Sequence, residues 1–145
     1  MLEVALPFIG RVYGETSIDL RTKEIVILRV SARSRCRYCV NTHTVAAWDA
    51  GLSPEETAGL CGAPSGLVER EAALVAWCDA LCAAPEPVPD AAVERLHEHF
   101  AAHEIVELTL VAGATLMLNR FCTALELPTS PATLARLRAG GVAPQ

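Results

Sequence analysis

The chain lacks several features, and each absence removes a class of protein. No stretch of about 18 apolar residues free of charge is present, so nothing reads as a membrane span. The first residues carry Glu3 and no basic lead before their apolar patch, which makes a poor secretion signal. That places the protein in the cytoplasm as an expectation. A positive balance is also missing. The net charge is −5, which argues against a nucleic-acid partner. There is no alternating strand pattern, no internal repeat and no second cysteine pair at ligand spacing. These absences disfavour a βαβ redox fold, a solenoid and a four-cysteine zinc site in turn.

What remains is 145 residues, 52% of them hydrophobic, with a mean hydropathy of +0.31. The length suits one domain with a sizeable core. The excess apolar content, much of it alanine and leucine, is read as subunit interface. Six cysteines in a reducing compartment are not structural staples by default. A close pair of them reads as redox-active or metal-binding.

Such a pair occurs at Cys36-Arg37-Tyr38-Cys39, with His43 four positions beyond. On a helix, residues three and four apart share a face, so Cys36, Cys39 and His43 fall on one stripe. Imidazole titrates near neutrality and suits the role of base to a thiol. Basic residues crowd the same region. Arg21, Lys23, Arg29, Arg33, Arg35 and Arg37 are half of the twelve, and Glu24 is the one acid among them. One reading is a solvated face. The other is a positive field that pulls the thiols below their ordinary value of about 8.5.

The residues alone leave the pair open among redox thiols, part of a zinc site with Cys61 as a distant fourth ligand, and inert cysteines. Covalent haem is excluded by Val40, where histidine would follow the second cysteine. Cys61, Cys78, Cys82 and Cys122 read as small apolar residues. His97, His99 and His103 read as a solvated helix face.

Helical signals run through the rest. Residues 1–19 form a short lead with a partial helix. Thr22 is the expected cap of a helix through Ser31-Ala32-Arg33. The next helix spans about 36–50 and stops at Gly51. Ser53-Pro54-Glu55-Glu56 carries a capping box. Further helices are expected at 68–83, about 91–100 with Asp90 as cap, about 104–126, and from Ser130-Pro131 to Arg138. The prolines of 84–89 break the chain between them. Apolar positions nearly all round 104–126 make that helix central or sandwiched between subunits. A frayed tail follows Gly140-Gly141. The expectation is an all-α bundle of six to seven helices in a single domain over 1–145, with its core at about 20–130.

With Glu24, the two cysteines and His43 in hand, the chain resembles the carboxymuconolactone decarboxylase superfamily, in its alkylhydroperoxidase, AhpD-like branch. Lys23 to Ser31, the Cys36–His43 block, Asp49 to Ser53, Glu104 to Thr109 and Met117 to Phe121 carry the likeness. The resemblance implies an all-α fold assembled as a trimer, hexamer or dimer. It implies that Cys39 attacks a hydroperoxide and that Cys36 supplies a proton and then closes a Cys36–Cys39 disulfide. His43 and Glu24 would relay protons, partly through water. Neither cofactor nor metal is implied. The reductant would be a dithiol, a lipoylated or thioredoxin-like protein. Tyr38 stands where the best-known peroxidases of the branch have a histidine. It is a possible accessory residue, and it implies a shorter relay. The ring-processing decarboxylases of the superfamily do not use this thiol pair, so its presence argues against decarboxylation. Two rivals stay open: a decarboxylase-like or lactone-processing enzyme, and a redox-sensing subunit without catalysis.

Overall fold

The structure is a computed structural model that describes residues 1–83 and 86–145. Two of the six residues in the expected proline break, Ala84 and Pro85, lie outside the described residues. The described residues form eight helices and no strand: α1 (Leu2–Tyr13), α2 (Leu20–Arg33), α3 (Arg37–Asp49), α4 (Pro54–Cys61), α5 (Glu69–Cys82), α6 (Asp90–His97), α7 (Ala102–Ala124) and α8 (Pro131–Ala139). The all-α expectation holds. The count exceeds six to seven, because the lead folds as a full 12-residue helix, α1.

Helix α2 is the hub, packed against α3, α4, α5 and α7. Its β-branched run, Ile25, Val26, Ile27 and Val30, has modest helix propensity but is 0–1% exposed. Burying such side chains contributes about 1.5–3 kcal/mol each, and tertiary packing therefore overrides local preference. The cap of α2 is Asp19 rather than Thr22. Asp19 Oδ1 accepts from Thr22 N–H at 2.8 Å, and Oδ2 accepts from the Thr22 hydroxyl at 2.9 Å. Thr22 sits three residues inside as the recipient of the cap.

The turn from α3 to α4 follows the sequence closely. Gly51 takes φ +91°, and Leu52 N–H donates back to Ala47 O. Ser53 and Glu56 cap each other reciprocally. Asp90 is the first residue of α6, not its cap; Pro89 holds that position without a side-chain bond.

The 23-residue α7 is long and apolar enough, by length and composition, to cross a membrane. Its buried face is a core face, with Leu108, Val111 and Ala112 fully covered by the bundle. Its opposite face is open: Val106, Leu110, Met117 and Phe121 are each about half exposed or more. The last residues do not fray. Gln145 N–H donates to Asn41 Oδ1 at 3.0 Å, and Asn41 Nδ2 donates to Gln145 O at 3.2 Å, which ties the tail to α3.

Candidate active site

The α2–α3 connection delivers the thiols. Helix α2 ends in a left-handed turn: Cys36 N–H donates to Ser31 O and Arg35 N–H to Ala32 O. This pattern puts its C′ residue at positive φ, a position usually given to glycine. Here it is Arg35, at φ 55°. Cys36 is then the N-cap of α3, and Cys39 lies one turn in. Both are free and buried, 1% and 5% exposed, with their sulfurs 2.9 Å apart.

Glu24 on α2 and His43 on α3 meet across the helix pair, with His43 Nδ1 2.9 Å from Glu24 Oε2. Both are mostly covered, 20% and 13% exposed at the side chain. A carboxylate partner takes the Nδ1 proton as a hydrogen bond, which leaves Nε2 with the free lone pair. Among the described residues, no hydrogen bond joins the imidazole to either sulfur. The ring meets Tyr13 edge-on, centroids 5.9 Å apart. Tyr13 in turn shares a hydroxyl bond with Thr115 at 3.1 Å. Burial first, then the nearby Cys39 and Glu24, pushes the Tyr13 phenol up to about 12. It is a neutral wall of the site at any ordinary pH.

Tyr38 is half-buried and packs on the thiols. It also lines a cavity of about 540 Å³, together with Arg35, Cys36, Arg37, Cys122, Glu126 and Leu127 among others. Cys39 does not line that cavity.

The expected positive field is mostly spent elsewhere. Arg21 pairs with Glu56 and Glu71, Lys23 with Glu107, and Arg29 and Arg33 with Asp79. Only Arg35 and Arg37 of the six line the cavity beside Cys36. The Cys39 thiol accordingly moves opposite to expectation. Burial, then the hydrogen bond and charge of Cys36, pushes it well above the ordinary thiol value. Desolvation disfavours the thiolate and outweighs distant cations.

Helix α7 supplies a wall that sequence reasoning missed. Thr115, Asn119 and Cys122 fall on one stripe of it. Thr115 holds Tyr13, Asn119 accepts from the Ser31 hydroxyl at 3.1 Å, and Cys122 packs against the buried thiol pair. Cys122 therefore joins Cys36 and Cys39 in one buried cluster. The signal available in sequence was its place three residues beyond Asn119 on a helix otherwise apolar. Cys61 and Cys78 pack on the main core, away from this cluster. Among the described residues, no group of three or more His, Cys, Asp or Glu is arranged to hold a metal ion.

A bundle of helices that presents two close thiols beside a carboxylate–imidazole pair defines a class, and comparison with known proteins agrees. Residues 7–80 match the carboxymuconolactone decarboxylase family model. The chain belongs to the carboxymuconolactone decarboxylase family. A solved structure from Agrobacterium tumefaciens, of unknown function but with a proposed AhpD role in antioxidant defence, is 28% identical. It aligns over 88% of this chain and 87% of its own, with a TM-score of 0.76. An uncharacterised peroxidase-related protein from Silicibacter sp. TM1040 is 20% identical, covering 91% of this chain and 71% of its own, with a TM-score of 0.84. The debrominase Bmp8 is 18% identical over 85% of this chain and 67% of its own, with a TM-score of 0.72. The last two likenesses bear on the fold alone. A search of curated proteins finds no match.

Proposed function

We propose that the chain is a cytoplasmic, thiol-dependent peroxidase that reduces hydroperoxides through a Cys36–Cys39 disulfide. The observation that carries this reading is the pair of free sulfurs 2.9 Å apart, with Glu24 and His43 bonded on the same two-helix unit. The AhpD role proposed for the Agrobacterium relative supports it.

The chemistry follows from the arrangement. Burial keeps Cys39 protonated at rest, so its proton leaves as the peroxide is attacked, toward His43 Nε2 by way of solvent. The Cys39 thiolate attacks the outer peroxide oxygen and becomes a sulfenic acid. The leaving alkoxide takes a proton from the Cys36 thiol and departs as alcohol. The Cys36 thiolate then attacks the Cys39 sulfur, the S–S bond forms, and hydroxide leaves as water with the relay proton. In sum, two thiols and one hydroperoxide give a disulfide, an alcohol and water. A dithiol donor, lipoylated or thioredoxin-like, restores the thiols by exchange. Neither metal nor cofactor takes part in this cycle.

Assembly into a homo-oligomer belongs to the same proposal. Val106, Leu110, Met117 and Phe121 share the open face of α7, and Gly113, in the turn between Leu110 and Met117, leaves room for close approach.

The test is hydroperoxide consumption with a dithiol supplied. Cys39→Ser lowers the rate by more than about 100-fold, as loss of a nucleophile does. Parent-like turnover by that variant overturns the assignment.

A further inference from the structure

Cys122 has no part in the cycle above, yet it is placed to join it. It comes from α7, which packs against α3. Its side chain packs with those of Cys36 and Cys39 in a cluster set apart from the main core, closed by Tyr38 and Leu127. Cys122 also lines the 540 Å³ cavity beside Cys36. The backbone around it is specialised. Helix α7 ends in the same kind of turn as α2, with Leu127 N–H donating to Cys122 O and Glu126 N–H to Thr123 O. The C′ residue is again not glycine but Glu126, at φ 50°. Arg35 and Glu126 are the two non-glycine residues with positive φ among the described residues, and both line this cavity. A left-handed non-glycine residue is strained, and such strain concentrates at functional sites. Here one strained turn sets Cys36 and the other closes the helix that carries Cys122.

We infer that Cys122 is a second resolving thiol for Cys39, able to close a Cys39–Cys122 disulfide in place of the Cys36–Cys39 one. The inference rests on the peroxidase reading. One equivalent of hydroperoxide oxidises Cys39 to the sulfenic acid and is itself reduced to alcohol. The Cys122 sulfur, deprotonated by the relay, attacks the Cys39 sulfur. The S–O bond breaks, the S–S bond forms, and hydroxide leaves as water. A dithiol returns both thiols by exchange and is oxidised to its own disulfide. The same contact permits a shuffle without net oxidation: Cys122 attacks Cys39 in a Cys36–Cys39 disulfide and expels Cys36 as thiolate.

A second route of closure has a purpose. A buried sulfenic acid that waits for its partner proceeds to sulfinic acid when peroxide persists. Two neighbouring thiols shorten that wait. The Cys39–Cys122 bond also ties α3 to α7, so the oxidised protein is cross-linked between helices far apart in sequence.

The experiment uses the full chain of the native protein, of Cys36→Ser and of Cys36→Ser/Cys122→Ser. Each is treated with one equivalent of cumene hydroperoxide, quenched by alkylation and mapped by peptide mass. Cys36→Ser is expected to lose two hydrogens, with the peptides of Cys39 and Cys122 linked. The double variant is expected to hold sulfenic acid that dimedone traps. A minor 39–122 link in oxidised native protein, where no side chain is altered, supports the same assignment. If Cys36→Ser holds a sulfenic acid at Cys39 without the link while the native protein forms its 36–39 bond, the inference falls and the peroxidase reading stands. If no thiol of the native protein is oxidised, both fall.

Discussion

His43 Nδ1 lies 2.9 Å from Glu24 Oε2, a bond between two helices that fixes the imidazole from the side away from its free nitrogen. The consequence concerns timing. Burial holds the Cys39 thiol protonated, so its reactivity depends on a base at hand rather than on standing thiolate.

Removing that base makes solvent hydroxide do the work. For His43→Ala, hydroperoxide consumption at pH 7 falls by about 100-fold, within the range usual for a lost general base. The rate of the variant then climbs tenfold per pH unit between pH 7 and 9, since a thiol titrating far above that window gains thiolate in proportion to hydroxide. Native protein shows a shallower slope. Stopped-flow rates across pH check this, and equal slopes would refute the relay. Glu24→Gln keeps the hydrogen bond but loses the charge, and is expected to fall between the two.

Alkaline stability follows from the same burial. Cys39, Cys61, Cys78, Cys82 and Cys122 are all pushed above the ordinary thiol value, chiefly by desolvation. The unfolded chain sheds these protons near pH 9, whereas the folded chain keeps them. Above that pH the folded state therefore binds more protons, and stability falls as pH rises. The contribution is complete below pH 9 and is lost from there toward the folded values. Each retained thiol costs up to about 1.4 kcal/mol per pH unit in that window. Urea unfolding of reduced protein at pH 7, 9 and 10 is expected to show a flat first interval and a steep second one. Cys78→Ala, at the fully buried site, is expected to flatten the second.

Local chemistry was readable from the sequence, and distant pairing was not. Gly51 and the Ser53–Glu56 box act within a few residues, so their roles in the α3–α4 turn stand in the sequence itself. Cys36, Cys39 and His43 share a stripe by helical spacing alone. Glu24 was placed with them by family likeness, because no periodicity links α2 to α3. The arginine-rich segment misled for a related reason. Four of its six charges, on Arg21, Lys23, Arg29 and Arg33, are paired with Glu56, Glu71, Asp79 and Glu107, which come from other parts of the chain. Tyr13 and Cys122 reach the site through contacts that span most of the chain: Tyr13 bonds a residue 102 positions away. Asp19 replaced Thr22 as cap because both residue types accept that role, and only the backbone shows which lies outside the helix.

Assembly offers a prediction that leaves the thiols alone. Leu110 and Met117 are 52% and 51% exposed on the open face of α7. Leu110→Glu/Met117→Lys places charges where a second copy would bury apolar area. Sedimentation is expected to give a smaller species than the parent, with helical content retained. An unchanged sedimentation coefficient would exclude this face as the interface.

The contact between α8 and α3 provides the last prediction. A Cβ built on Gly140 would stand 2.5 Å from Cη2 and 2.9 Å from Cζ3 of Trp48. Real Cβ atoms do not approach that closely, and the ring is not free to yield. Its Nε1 donates to Thr57 Oγ1 at 3.0 Å, so the indole joins α3, α4 and the end of α8. Gly140→Ala must displace the ring or the end of α8, at about 1–3 kcal/mol for an overpacked site. Urea titration is expected to show a lower midpoint, with altered fluorescence from Trp48 in the folded state. Because Trp77 lies in the main core, a Trp77→Phe background isolates the Trp48 signal. A midpoint equal to the parent's would show that the indole and the end of α8 yield without cost.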